Sequence, residues 1–211
     1  MELDLSGSWT LIREGDGSSR PMAIPGDIVS ALVASGELRD PFVSMAELDA
    51  LWTGREDWTL VRCFALDDAA LSAESLRLEL ESIDTIADIR LNGIELARSR
   101  NMFVPISLEL SGAARIGNNE LRITIRSAER AAAEEASRLP YPSPASSYPV
   151  SSPHRNLIRK AQCMAGWDWG PCLLSGGLYG YARVVASNGP RIVSISAEAR
   201  RLSGEIWVLH C

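Results

Sequence analysis

Apolar and polar residues alternate with a period of two along much of this chain. In SLRLELES (75–82), Leu76, Leu78 and Leu80 fall on one side and Arg77, Glu79 and Glu81 on the other. That is the pattern of a strand with one face in a core and one in water. ELRITIRS (120–127) repeats it with Leu121, Ile123 and Ile125. EDWTLVRCFAL (56–66) sets Trp58, Leu60, Phe64 and Leu66 on one side and Val61, Cys63 and Ala65 on the other. With apolar residues on both sides, it predicts a strand covered on both faces, in the middle of a sandwich. LYGYARVVAS (178–187) reads as a further strand. IADIRLNGIEL (86–96) holds Asn92-Gly93 between apolar residues, which predicts a hairpin, because a type I′ turn needs positive φ at both central positions. Gly117-Asn118-Asn119 reads as another turn.

Helical signals are few. DIVSALVASG (27–36) has Asp27 as N-cap, an apolar set at Ile28, Ala31 and Leu32, and Gly36 as a stop. AELDALW (46–52) allows one or two further turns. ERAAAEEASR (129–138) has helical propensity but almost no apolar residue larger than alanine to anchor it. Many short strands with turns between them predict an all-β protein, a sandwich or barrel. The segment 139–155 breaks this rhythm: it holds five of the eleven prolines and no strand pattern. A structureless insert of that length is functional or disordered. After the break Asn188-Gly189-Pro190, RIVSISAEA (191–199) and GEIWVLHC (204–211) read as two strands of a new unit. The expected division is a first domain over 1–187 and the beginning of a second, cut short, over 188–211.

Composition narrows the partners. A chain of 211 residues suits one large domain, or one domain plus a fragment. The net charge of −6 comes from acids spread along the chain, which argues against nucleic acid, a partner that would favour a basic face. The four cysteines, Cys63, Cys163, Cys172 and Cys211, show no C-x-x-C spacing, and there are only two histidines. No metal site and no cofactor are expected, and free thiols point to a reducing compartment. The N-terminus has no signal-peptide pattern and no segment is apolar enough to span a bilayer, so the expectation is a cytoplasmic protein with no membrane partner.

The candidate chemistry lies in RKAQCMAGWDWGPC (159–172), where Asp168 stands between Trp167 and Trp169 with Gly166 and Gly170 on either side. Sugars offer hydroxyl donors and apolar C–H faces, which carboxylates and indoles suit. Asp168 has a plainer reading as a structural carboxylate, bonded to backbone amides or paired with Arg159 or Lys160. In an extended segment Trp167 and Trp169 point the same way and Asp168 the opposite way. That favours tryptophans that pack and fix the strand presenting Asp168. Arg159 and Lys160 read as solvated or ion-paired. Trp9, Trp52, Trp58 and Trp207 are expected in the core, and His154 at the surface. The acid pairs Glu134-Glu135 and Asp67-Asp68 sit in polar stretches and do not read as a catalytic pair.

Several segments together resemble the N-terminal part of family 2 glycoside hydrolases, most closely their β-mannosidase branch. They are the opening LSGSWTL, then IPGDIVSALVASGELRDPFVSMAELDALWTGREDWTLVRCF (24–64), the Asn-Gly hairpin followed by GNNELRITIRS, and R-K-x-Q…W-D-W-G-P within NLIRKAQCMAGWDWGPCLLSGGLYGYARV. The resemblance covers about residues 3–187. It departs at three places: Ile28 where the family often has His, Ala46 where it often has Asn, and Leu60 where it has an aromatic. It implies an antiparallel jelly-roll sandwich of the galactose-binding type. It further implies that in the complete enzymes an immunoglobulin-like domain and a (β/α)₈ barrel follow in the same polypeptide. Both catalytic carboxylates lie on that barrel and work with retention of configuration. This segment alone would carry no catalytic residue and no activity. Asp168 would accept hydrogen bonds from a β-mannoside or related oligosaccharide, with Trp167 and Trp169 beside it. The alternative of another class is a stand-alone carbohydrate-binding or structural sandwich with no enzyme attached.

Overall fold

The structure is a computed structural model that describes residues 1–142, 152–192 and 194–210. Along the chain come β1 (Glu2–Asp4), β2 (Gly7–Arg13), β3 (Ser19–Ile24), β4 (Gly26–Asp27), α1 (Ile28–Ala34) and α2 (Glu47–Ala50). A 3₁₀ turn, Leu51–Arg55, leads into β5 (Trp58–Leu66), α3 (Asp68–Leu71), β6 (Ser75–Asp84), β7 (Ala87–Leu91), β8 (Ile94–Ser99), β9 (Ile106–Glu109) and β10 (Gly117–Ile125). Then follow α4 (Ala128–Arg138), 3₁₀ turns at Arg155–Leu157 and Gln162–Met164, β11 (Ala165–Trp167), β12 (Gly170–Cys172), β13 (Gly177–Ser187), β14 (Glu198–Ser203) and β15 (Ile206–His210).

Two antiparallel sheets face each other. One runs β1-β13-β6-β9, with β4 also on β13; the other runs β3-β2-β5-β10-β7-β8. Neighbours such as β13 and β6 are far apart in sequence, so the sheets are stitched by long crossovers. The core lies between them, and the period of two decides who enters it. Leu76, Leu78 and Leu80 of β6 and Leu121, Ile123 and Ile125 of β10 are all buried, in one cluster with Trp9, Leu11, Trp58 and Leu60. Burying each such side chain contributes about 1.5–3 kcal/mol. The β7–β8 hairpin turns on Asn92 (φ 52°) and Gly93 (φ 85°), as its sequence predicts. The Asn92 amide also donates to the Ala113 carbonyl at 2.9 Å, so the turn holds the next loop.

α1 begins at Asp27, whose carboxylate accepts from the Ser30 amide at 3.1 Å, and the chain leaves it through Gly36 at φ 77°. α4 forms despite its alanine-rich face. Only Ala128 and Ala132 are buried, against Ile158. The rest is ionic, with Arg130–Asp57 at 2.6 Å, Arg55–Glu129 at 3.0 Å and Arg138–Glu135 at 2.8 Å.

The structure corrects several expectations. The second face of β5 is not covered: Cys63 and Ala65 are exposed, and only Thr59, which bonds Thr124 across the sheet at 2.8 Å, is buried there. Gly117-Asn118-Asn119 is not a turn but the start of β10, paired with Leu66, Ala65 and Phe64. Gly117 (φ 81°) ends the bend before it, and the Asn119 side chain holds that bend, accepting from the Arg115 amide at 2.9 Å and donating to the Arg115 carbonyl at 2.8 Å. Among the tryptophans expected in the core, Trp9 and Trp58 are buried, whereas Trp52 is half-buried and stacked on Trp58 at 5.7 Å. Trp207 is 61% exposed, because β14 and β15 pair only with each other and have no core of their own. The strands of that tail are also displaced, to 198–203 and 206–210. His154 is half-buried rather than at the surface. Residues 143–151 of the proline-rich segment and Cys211 lie outside the described residues.

Candidate functional site

The segment 155–177 crosses one end of the sandwich and carries the W-D-W-G-P sequence on a small hairpin. Ala165 pairs with Cys172 and Trp167 with Gly170, which leaves Asp168 and Trp169 as the two turn residues. Gly166 takes φ 92°, a conformation a larger residue resists. Arg155 supports the hairpin from beneath: its Nη1 donates to the Gly166 carbonyl at 3.0 Å and its guanidinium lies 5.5 Å from the Trp167 ring centre. The two indoles meet at 5.4 Å between centroids, tilted by 54°.

The segment is not extended here, since Asp168 and Trp169 form its turn, so the ring contact does not arise from strand alternation. The indoles do not pack into the core: Trp167 is 40% and Trp169 75% exposed. The reason is the turn, which lifts both rings off the sandwich, so that they cover each other and not the sheet. Asp168 is exposed and makes no hydrogen bond or ion pair among the described residues. The structural role open to it on sequence grounds, a carboxylate held by amides or by Arg159 or Lys160, is therefore absent here. Lys160 instead lies buried and paired with Asp84. Arg159 is exposed, and its backbone bridges to Asn101.

Beside the hairpin opens a cleft of about 600 Å³. Trp169 and Pro171 form one wall, Phe42 and Val33 another, and Tyr179 and Met164 also line it. Phe42, like Trp169, is 75% exposed, so two large aromatic faces stand unburied across one opening. Asp27 and Asp40 also line it, but both are committed. Asp27 accepts from Ser30 and from the Ser175 hydroxyl at 2.6 Å, and Asp40 accepts from the Phe42 amide at 2.9 Å. Burial, with the Asp84 and Asp27 carboxylates adding to it, pushes the Tyr179 phenol well above its ordinary pKa, so it stays protonated and available as a donor. A second cleft, about 320 Å³ between α4 and β7–β8, is lined by arginines and acids already joined in ion pairs. Glu135 is among them, bonded to Arg100 and Arg138, and Asp67 caps α3, so neither acid pair noted in the sequence stands free to act as a catalytic pair.

Asp168, Trp167 and Trp169, the candidates of the sequence, come together on this one hairpin, whereas Phe42, Tyr179 and the Lys160–Asp84 pair were not among its candidates. Asp84 left a faint signal, a carboxylate that follows Ile83 at the end of β6, where the alternation of that strand breaks. Arg159 and Lys160 left none, since nothing in their order says which one turns inward.

Residues 9–180 match the family described as the galactose-binding domain-like region of glycosyl hydrolase 2. The chain belongs to that family. Within it, this galactose-binding-like domain is 32% identical over 189 residues to β-mannosidase of Mus musculus, covering 87% of this chain and 21% of that one. It is 33% identical over 176 residues to a probable β-mannosidase of Caenorhabditis elegans, covering 80% and 19%. Among solved structures, the crystal structure of β-D-mannosidase from Dictyoglomus thermophilum superposes with a TM-score of 0.89 at 32% identity, over 96% of this chain and 24% of that one. The chain thus spans about a fifth of the length of the curated relatives it matches. Ile28, Ala46 and Leu60, where the sequence reading expects departures from the family pattern, are all buried. None of them lines the cleft itself.

Proposed function

We propose that this chain is the substrate-contacting part of a retaining β-mannosidase that removes terminal β-D-mannose residues from glycans. In this reading the catalytic carboxylate pair lies in a (β/α)₈ barrel of the same polypeptide, and residues 1–187 are the sandwich that leans over it. Residues 188–211 then begin an immunoglobulin-like domain, which their separate two-stranded sheet supports. The observation that carries the reading is Asp168: an exposed carboxylate without a partner, on a hairpin tip, between two exposed indoles. With no partner in the fold, this carboxylate keeps its full acceptor capacity for a ligand. Asp168 accepts hydrogen bonds from sugar hydroxyls and fixes the ring, while the indoles offer faces to its C–H groups. The exposed free thiols Cys63 and Cys163 support a reducing, cytoplasmic setting.

Mannosides and glucosides differ in one hydroxyl at C2, so a site built on hydroxyl contacts separates them. The polypeptide that joins residues 1–211 to the downstream part its relatives carry is expected to prefer an aryl β-mannoside over the β-glucoside. The preference in kcat/KM should be roughly a hundredfold. Equal rates, or a preference for the glucoside, would contradict the assignment.

A further inference from the structure

Lys160 and Asp84 are 4% and 0% exposed, at the foot of the W-D-W-G-P hairpin. The Lys160 ammonium reaches the Asp84 carboxylate at 2.5 Å and the Ser175 carbonyl at 2.5 Å. These three groups come from different places. Lys160 lies on the stem entering β11, Ser175 on the stem leaving β12, and Asp84 at the end of β6 in the sandwich. One cation therefore closes the base of the hairpin and fastens it to the sheet.

We infer that Lys160 and Asp84 are positioning residues for Asp168, setting where the hairpin tip stands relative to the sandwich; the inference rests on the substrate role proposed for Asp168. The surroundings extend the clasp on both sides. The Ser175 hydroxyl donates to Asp27 at 2.6 Å and accepts from the Val29 amide at 3.3 Å, which ties the leaving stem to the start of α1. The Gln162 amide donates to the carbonyls of Lys160 at 3.0 Å and Arg155 at 3.1 Å, which holds the entering stem in a tight bend. At Gly176 a Cβ would stand 2.9 Å from the Asp84 carbonyl, so the stem runs directly against the end of β6.

A buried ion pair is a poor source of net stability. Desolvating both charges offsets most of their attraction, and apolar replacements are often neutral. What an apolar pair lacks is direction. An ammonium between a carboxylate and a carbonyl fixes both stems by hydrogen-bond geometry, and two methyl groups in the same volume do not. A misplacement of about 1 Å at a reacting site costs up to a hundredfold in rate, so the clasp matters to catalysis without matching weight in stability.

The test compares Lys160→Met with Lys160→Met/Asp84→Asn. The single change strands a buried carboxylate and is expected to lower the melting temperature. The double change removes both charges and is expected to recover most of that loss. In the recovered double variant of the 211-residue chain, amide exchange within 166–172 should quicken by about tenfold or more while β5 and β10 keep their protection. In the polypeptide with its downstream part, kcat/KM should fall at least about tenfold. Lys160→Arg keeps the cation but not the ammonium's compact reach, and should show the same two changes in smaller degree if the double variant does not fold. Native exchange in the hairpin together with native kcat/KM would overturn the inference. So would faster exchange with unchanged kcat/KM, provided Asp168→Ala lowers it. An Asp168→Ala variant with full kcat/KM would instead overturn the substrate role itself, whatever the exchange shows.

Discussion

Gly54 carries no side chain because Leu174 occupies the space where a Cβ would stand, with its own Cβ 2.7 Å away. Leu174 is 4% exposed and held at φ 46° as the hairpin segment returns to the sandwich, so it has little room to give. The Gly54 carbonyl also accepts the Ser127 hydroxyl at 2.8 Å, next to the start of α4. Gly54→Ala is therefore expected to destabilise the chain by about 1–3 kcal/mol, read as a lower melting temperature. An unchanged melting temperature would show that the returning segment shifts freely. This contact joins residues distant in sequence, and nothing in WTGRED announces it. The same holds for Lys160. Adjacent cations look alike on paper, and only the position of Asp84 at the end of β6 decides which is drawn inside. Asp168 stood out as a candidate for the opposite reason, since its immediate neighbours are two indoles and two glycines; that it and Trp169 form a turn was not legible.

Strands were the most legible elements because each one's period of two reports directly on the core. Leu76, Leu78 and Leu80, and Leu121, Ile123 and Ile125, all face inward as their alternation predicts. The same logic misled at β5, where Cys63 and Ala65 are apolar yet exposed; small apolar residues on a solvent face leave the same written pattern as a covered one. α3 went unseen because it is a single capped turn, held by Asp67 accepting from the Ala70 amide at 2.8 Å. The β14–β15 hairpin shows how little pairing alone achieves. Its Leu202, Ile206, Trp207 and Leu209 are each at least 60% exposed, so it holds its shape by ladder bonds with no buried face. An isolated two-stranded hairpin is marginal in water. In the 211-residue chain its amides should exchange within the fast, locally opened class, while those of β5 and β10 exchange only with global unfolding. Equal protection of the two regions would mean that the hairpin packs on the sandwich or on another copy.

At the scale of the molecule, the sandwich is a scaffold that places one hairpin and one aromatic cleft at the same end. In the proposed function that end contacts the sugar, and the chemistry of bond cleavage needs a pair of carboxylates opposite the anomeric carbon. The two other acids of the cleft are committed, Asp27 to its helix cap and Asp40 to its turn, and each acid pair of the sequence has a committed member, Asp67 capping α3 and Glu135 bound to two arginines. Residues 1–211 alone are accordingly expected to hydrolyse no aryl β-mannoside above the buffer rate, and turnover abolished by a point change within them would reveal a missed site. The most direct measurement is made on the longer polypeptide, with kcat/KM and melting temperature determined on the same preparations of the native form and of Asp168→Ala. Two charged hydrogen bonds to sugar hydroxyls, at the low end of about 1.5–3 kcal/mol each, supply roughly 3 kcal/mol. The expected result is a fall in kcat/KM of about a hundredfold with an unchanged melting temperature. A native kcat/KM in properly folded Asp168→Ala would contradict the account.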